Sequence, residues 1–239
     1  MDIKNHRVLI IGGTSGIGLA VAAGVAQRGA TPIVASRRSS SVERAIAALP
    51  DGAEGHVVDV SDPDSLSAVL EATGHVDHLV YTAGEPINLV PLPDLDGATL
   101  SSFFETRFLG AVAVARAFAP IMPKEGSITF TSGTAAERPG AGWALGASIC
   151  GAMNGLTRAL AVELAPLRVN AIAPGVVRSP LWANLTEADR EALYDGVGAA
   201  LPLGRVGETE DIARAYVYMM EQDFGTGIVL TVDGGTLLA

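Results

Sequence analysis

The sequence predicts an α/β fold, a parallel sheet of about seven strands with helices on both faces. Three observations carry the prediction. Short apolar runs alternate with longer segments of helical period, the pattern of repeated βαβ units. Most of the short runs are continuously apolar, as in strands covered on both sides. A glycine-rich turn follows directly on the first of them.

Taken in order, Arg7–Ile11 is the first strand, and Ile17–Gln27 is the helix beyond the glycine turn. Strand Thr31–Ala35 leads to helix Val42–Ala48, and strand Gly55–Val58 to helix Pro63–Ala72. Asp62 reads as the N-cap of that last helix, with Pro63 in its first turn. Strand His78–Tyr81 runs into a Pro/Asp-rich surface loop, Pro86–Gly97, and then into one long helix, Thr99–Ala119. Strand Ser127–Thr131, helix Gly142–Leu164 and strand Arg168–Ile172 follow. Leu181 to Ala200 carries acidic residues, a Trp and a Tyr, and is expected to form one or two short helices over the carboxyl edge of the sheet. Helix Glu208–Glu221 and strand Ile228–Val232 complete the set. No repeat, low-complexity tract or linker divides the chain, so residues 1–239 are expected to form one domain.

The bulk properties narrow the function. With 49% hydrophobic and 18% charged residues, the chain of 239 residues has the composition of a packed globule. A net charge of -10 excludes a general nucleic-acid binder, which would show a basic stripe. The single cysteine, Cys150, excludes an intrachain disulfide and a cysteine-based zinc site, and no metal is expected. The opening MDIKNHRVLIIGG lacks the layout of a signal peptide, and no apolar run reaches the roughly 20 residues of a membrane span. Arg116 interrupts the most apolar helix. The expectation is a cytoplasmic protein with no membrane partner.

The turn Gly12-Gly13-Thr14-Ser15-Gly16-Ile17-Gly18 stands between a strand and a helix. Glycines there permit a tight turn and close approach of the backbone, and the helix start offers N–H groups and a positive dipole end to a pyrophosphate. A doubly wound, Rossmann-like sheet is the setting this motif requires. The second strand ends in Ala35-Ser36-Arg37-Arg38, without the acidic residue that bonds the ribose hydroxyls of NAD. Two arginine forks suit a 2′-phosphate, so NADP(H) is the expected cofactor; the alternative is a solvated basic loop.

This layout closely resembles the short-chain dehydrogenase/reductase family over essentially the whole chain, through Thr231-Val232-Asp233-Gly234-Gly235. The resemblance implies that Asp59-Val60 contacts the adenine. It implies that Thr82, Ala83 and Gly84 lie along the cofactor, where the family reads Asn-Asn-Ala-Gly and this chain has Tyr81 and Thr82 at the two Asn positions. It also implies that Pro174, Gly175, Val177 and Ser179 form the loop beside the nicotinamide. The family's catalytic Asn, Ser, Tyr and Lys, however, fall on Arg107, Gly133, Gly146 and Cys150. No tyrosine occurs between Tyr81 and Tyr194, so shifting the alignment by one residue cannot restore the motif.

A positioned general acid contributes about 10²–10⁴-fold, whereas orienting a hydride donor contributes independently of it. Reduction of an ordinary ketone is therefore disfavoured, and a substrate needing less help, an iminium ion or activated alkene, suffers less. Three side chains are candidates for the altered chemistry. Ser132 either reaches substrate or bonds backbone at the strand end. Arg107 either binds a substrate anion or oxygen, or pairs internally with Glu137 or Glu163. Cys150 is either an activated thiolate or a small buried hydrophobe. Glu137 and Arg138 follow the strand and either line the pocket mouth or stand in solvent. Gly146, Gly151 and Gly155, with Ala147, read as a flat small-residue face, and the resemblance implies a homo-oligomer, dimer or tetramer, packed through that helix. Trp143 and Leu145 are the expected fillers of the space left at Gly146. The resulting expectation is an NADP(H)-dependent oxidoreductase acting on a small molecule with an atypical proton donor, bound water or Ser132. A silent cofactor-binding protein and a non-redox isomerase or cyclase are the rivals.

Overall fold

The structure is a computed structural model and describes residues 2–87 and 89–239. Its strands are β1 (Arg7–Ile11), β2 (Thr31–Ser36), β3 (Glu54–Val57), β4 (His78–Tyr81), β5 (Ser127–Thr131), β6 (Arg168–Pro174), β7 (Val177–Arg178), β8 (Gly207–Glu208) and β9 (Val229–Val232). Seven of them form one sheet in the order β3-β2-β1-β4-β5-β6-β9, every pairing parallel. The helices are α1 (Gly16–Ala26), α2 (Ser39–Ala48), α3 (Pro63–Thr73), α4 (Gly97–Phe104), α5 (Gly110–Phe118), α6 (Ala144–Glu163), α7 (Glu187–Ala200) and α8 (Thr209–Glu221).

The alternation of side chains along each central strand builds two cores. Leu9, Ile11, Leu79 and Tyr81 pack on one face with Val114 and Phe118 of α5 and Met153 of α6. Val8, Ile10 and Val80 pack on the other with Val21 and Val25 of α1 and Ile212 and Tyr216 of α8. A strand with both faces buried gains nothing from polar alternation, which is why these runs are apolar throughout. The Asp62 carboxylate caps α3 through the Asp64 N–H at 3.0 Å, as the Asp-Pro pair predicts.

The chain leaves β1 for β2 on one side and returns as β4 on the other. A parallel sheet of this order opens a crevice at the carboxyl ends of those strands, where the winding reverses.

Three departures from the sequence reading affect the site. The expected helix Thr99–Ala119 is broken by a π-helical turn, Glu105–Leu109, between α4 and α5. The Tyr81 hydroxyl donates to the Thr106 carbonyl inside that turn, so the carbonyl ladder is opened by a partner from another element. Leu181 to Ala200 resolves into the end of a 3₁₀ turn, Pro180–Trp182, and the longer α7, capped by the Thr186 hydroxyl on the Asp189 N–H. The two-residue pair β7–β8 was beyond the reach of any periodicity. Within Pro86–Gly97 the described residues include a 3₁₀ turn, Leu92–Asp94, while Asn88 lies outside them.

The predicted flat face of α6 is also revised. A Cβ added at Gly151 or Gly155 would meet open space, whereas one at Gly146 would press on the Trp143 ring at 3.2 Å. Gly146 therefore belongs to the interior and not to that face. No described helix is long and apolar enough to cross a membrane.

Candidate active site

A cavity of about 730 Å³ opens at the carboxyl ends of the central strands. Its wall begins at the glycine turn: Gly12, Thr14, Ser15, Gly16, Ile17 and Gly18 line it where α1 starts. Gly12 has φ +85, and a Cβ there would stand 2.7 Å from the Ala83 nitrogen; one at Gly18 would collide with the Gly12 carbonyl and the Thr82 hydroxyl. Two backbones thus meet with no room for a side chain, which brings Thr82, Ala83 and Gly84 to the same wall. The Thr82 hydroxyl and N–H both bond the Ile11 carbonyl, at 3.1 and 2.8 Å, tying the end of β4 to β1.

Ser36, Arg37, Arg38 and Val60 stand at the far end of the cavity, and Pro174, Gly175, Val177 and Ser179 close the near end. Gly175 packs against the Asp233 backbone, where a Cβ would come within 2.9 Å, so the Thr231–Gly235 segment holds the Pro-Gly loop in place. Asp59 does not line the cavity. Its carboxylate accepts the N–H and the hydroxyl of Ser61 at 3.0 and 2.6 Å, bonds that hold it below the usual carboxylate range. The adenine contact implied for Asp59 is thus not prepared by its present orientation; Val60 is the member of that pair on the wall.

The four replaced positions come together on the opposite side. Gly133, extended at φ -178, faces Cys150, and a Cβ on it would stand 3.1 Å from Sγ. Burial pushes the Cys150 thiol up to about 11, with the Ser132 hydroxyl and then Arg107 pulling the other way. Cys150 is therefore a buried neutral thiol rather than the activated thiolate that was one of its two readings. Trp143 takes the space over Gly146, as expected, and meets Trp182 edge-on at 6.1 Å between ring centres. Leu145 is buried away from the cavity and fills none of that space.

Ser132 lines the cavity, yet its hydroxyl is engaged with Asn154 Oδ1 at 2.6 Å and the Cys150 carbonyl at 3.1 Å. It anchors β5 to α6. Turning the Asn154 amide over would let its NH₂ donate to Ser132 while Ser132 donates to the carbonyl, which satisfies all three groups. Of the two readings of Ser132, the backbone-bonding one matches this geometry. Glu137 and Arg138 are absent from the lining.

Arg107 sits on the π turn with its side chain 12% exposed. It pairs with Glu85, not with Glu137 or Glu163: Nη2 donates to the Glu85 carbonyl, and Nη1 lies 3.5 Å from Glu85 Oε2. That separation makes an ion pair but no hydrogen bond, and Nη1 has no hydrogen-bond partner among the described residues. The guanidinium also lies over the Phe103 ring at 4.2 Å. Burial pushes Arg107 down from its ordinary value, with Glu85 the first opposing influence. Glu85 Oε1 in turn accepts from Arg37 Nη2 and from the Thr106 hydroxyl, both at 2.9 Å.

Sequence reasoning overlooked Glu85, Asn154 and the part played by Tyr81. Glu85 alone had a visible signal, a carboxylate placed directly after Thr82-Ala83-Gly84 in a chain with two unmatched arginines.

Comparison with known proteins agrees with this architecture. A family model described as enoyl-(acyl carrier protein) reductase matches residues 12–236. The short-chain dehydrogenase/reductase ATR9 of Stachybotrys chlorohalonatus is 38% identical over 251 residues, covering 99% of this chain and 98% of that one. The MalC reductase/Diels-Alderase of Malbranchea aurantiaca superposes with a TM-score of 0.92 at 33% identity, over 99% of this chain and 98% of its own. A small-chain dehydrogenase solved with NADPH superposes at 0.84 with 33% identity, covering 99% and 100% of the two chains. A 3-ketoacyl-(acyl-carrier-protein) reductase from Brucella melitensis, solved with NADH, superposes at 0.89 with 27% identity over 98% of each. With a match of this extent to the family model and to its members, the chain belongs to the short-chain dehydrogenase/reductase family.

Proposed function

We propose that this chain is an NADP(H)-dependent oxidoreductase that exchanges hydride with a small molecule whose reacting carbon is already electron-poor, an iminium ion or an activated alkene. One observation supports this above the others. Among the described residues no lysine lines the cavity, and the one tyrosine that does, Tyr81, gives its hydroxyl to the Thr106 carbonyl. Burial also raises the Tyr81 phenol above its ordinary value. A ketone needs a proton as hydride arrives, and no phenol here is free to supply it. An iminium carbon accepts hydride and becomes an amine without that proton; an activated alkene becomes a delocalised enolate, which takes its proton from water after hydride has arrived.

NADP(H) is favoured by Arg37 and Arg38, with Ser36 beside them, and by the NADPH bound to a similar dehydrogenase. Arg107 lines the cavity and is the charged group we assign to orienting substrate; its Nη1 is buried and has no hydrogen-bond partner among the described residues. Ser132, whose hydroxyl is already engaged, serves as a scaffold. The open face of α6 at Gly151 and Gly155 supports a homo-oligomer.

A second reading has its own support. The Malbranchea relative is described as both a reductase and a Diels-Alderase. The cavity here carries Trp143, Trp182 and Ile87, apolar walls suited to folding a substrate on itself. Both readings meet one experiment: reduced coenzyme is followed by its absorbance against cyclic imines, enones and ketones of similar size. Oxidation of NADPH by imines or enones and not by ketones is the expected result. Ketone turnover equal to imine turnover overturns the reading. Product formation without coenzyme consumption assigns the cyclase role instead.

A further inference from the structure

The two ends of the cavity share one carboxylate. Glu85 Oε1 holds the coenzyme-end Arg37 at 2.9 Å, while Oε2 stands 3.5 Å from Nη1 of the substrate-end Arg107. Arg37 is 56% exposed and Arg107 12%. The better-hydrated guanidinium therefore has the good hydrogen bond to the carboxylate, and the desolvated one, bonded to the Glu85 carbonyl, has only a long ion pair with that carboxylate. Two guanidiniums facing one carboxylate leave a local charge of +1. Pairing is worth more at the buried end, where the effective dielectric is lower.

We propose that Glu85 is a specificity residue that couples the two ends: a 2′-phosphate seated on Arg37 displaces the Glu85 carboxylate, which closes onto Arg107. The proposal rests on the NADP(H) reading above. A phosphate monoester brings about −1.5 to −2 charges at neutral pH and several acceptor oxygens, enough to take over the Arg37 fork. The released carboxylate keeps the Thr106 hydroxyl on Oε1 and turns Oε2 to shorten a 3.5 Å separation, which gives Arg107 Nη1 its missing partner. The backbone needs no movement, because the Glu85 carbonyl already accepts from Arg107 Nη2. With NAD(H) no phosphate arrives, Glu85 stays on Arg37, and Arg107 Nη1 remains buried without a hydrogen-bond partner. The coenzyme type thus sets the net charge that the substrate meets, and by linkage any ligand of Arg107 alters the preference between coenzymes.

The test is a double-mutant cycle read on coenzyme binding alone, with no substrate required. NADPH and NADH dissociation constants are measured by nicotinamide fluorescence for the wild-type protein, R107Q, E85Q and the double variant. Removing the partner that receives Glu85 is expected to weaken NADPH relative to NADH about fivefold, the worth of one partly exposed ion pair. In the E85Q background the same Arg107 change is expected to leave the NADPH/NADH ratio unaltered. A shift of equal size in both backgrounds means that Arg107 acts through its own field and overturns the proposal, as does no shift in either. NADH affinity and melting temperature check the fold of each variant. Should R107Q not fold, R107K carries the same comparison, since one ammonium cannot hold both the carbonyl and the carboxylate of Glu85. A wild-type preference for NADH with the cycle still non-additive keeps the coupling and removes the NADP(H) reading. Failure of the wild type to bind either coenzyme removes both.

Discussion

Replacing Tyr81 by Phe deletes one oxygen and isolates the link between the sheet and the π turn that carries Arg107. The ring is 2% exposed, and its hydroxyl donates to the Thr106 carbonyl. No water reaches that depth readily, and a Cβ at Gly110 would stand only 2.5 Å from the same oxygen, so the space is closed on that side too. Losing the donor leaves a carbonyl that a π turn cannot satisfy from within, a cost of about 1–3 kcal/mol. For a chain of this length, 2 kcal/mol lowers the melting temperature by roughly 4–8 °C. The functional expectation is more specific. Thr82 is held to β1 by its own bonds, so NADPH binding falls by no more than the roughly fivefold step tied to Arg107, while turnover of the preferred imine falls further, because Arg107 loses its fixed position. Thermal melting, coenzyme titration and kcat/KM on one preparation decide the matter. Stability within about 0.5 kcal/mol of wild type, or NADPH affinity falling as far as turnover, refutes the reasoning.

Acid stability should report on His78. It is fully buried between His6 and Ser127 at 3.0 and 2.8 Å, and burial first, with repulsion from His6 and Arg168, pushes it down to about 3 from 6.5. The unfolded chain takes up the proton and the folded chain does not. This stability is complete above 6.5 and falls by about 1.4 kcal/mol per pH unit as pH drops from there toward about 3. Urea unfolding of wild type and His78→Asn between neutral pH and the onset of carboxylate titration should give a shallower slope for the variant. Ser132→Ala should cost about 1 kcal/mol through the lost Asn154 bond, with turnover reduced far less than the ~10²-fold minimum expected of a proton donor; a larger kinetic loss returns Ser132 to the chemistry. Gly133→Ser should destabilise by about 1–3 kcal/mol, because its Cβ meets Cys150 Sγ at 3.1 Å, and Cys150→Ala should relieve most of that cost in a melting assay.

Much of this fold was legible because local pattern and global packing agree. Both faces of β1 and β4 are buried, so after Arg7 and His78 their sequences are apolar runs, and the glycine turn is written in residues that no crowded backbone contact can do without. Strand and helix ends moved by a residue or two, as at Thr31–Ser36 and Arg168–Pro174. The π turn was not legible: Thr99 to Ala119 is apolar at helical spacing, and the interruption comes from a hydroxyl on a distant strand. The partner of Arg107 was misread for the same reason. Glu137 and Glu163 are nearer to the catalytic segment in the alignment, but Glu85 is nearer in space. Cys150 was open between two readings until its burial was known.

The mutual fit of Gly133 with Cys150, and of Gly146 with Trp143, has a historical consequence. Each small residue is the counterpart of a larger neighbour that has moved into its shadow, so a serine or tyrosine arriving alone finds its seat taken. Restoring either residue singly forces its neighbour to give way, so each step back toward an ordinary carbonyl reductase costs packing energy before any chemistry returns. Packing thus holds this interior away from the familiar constellation.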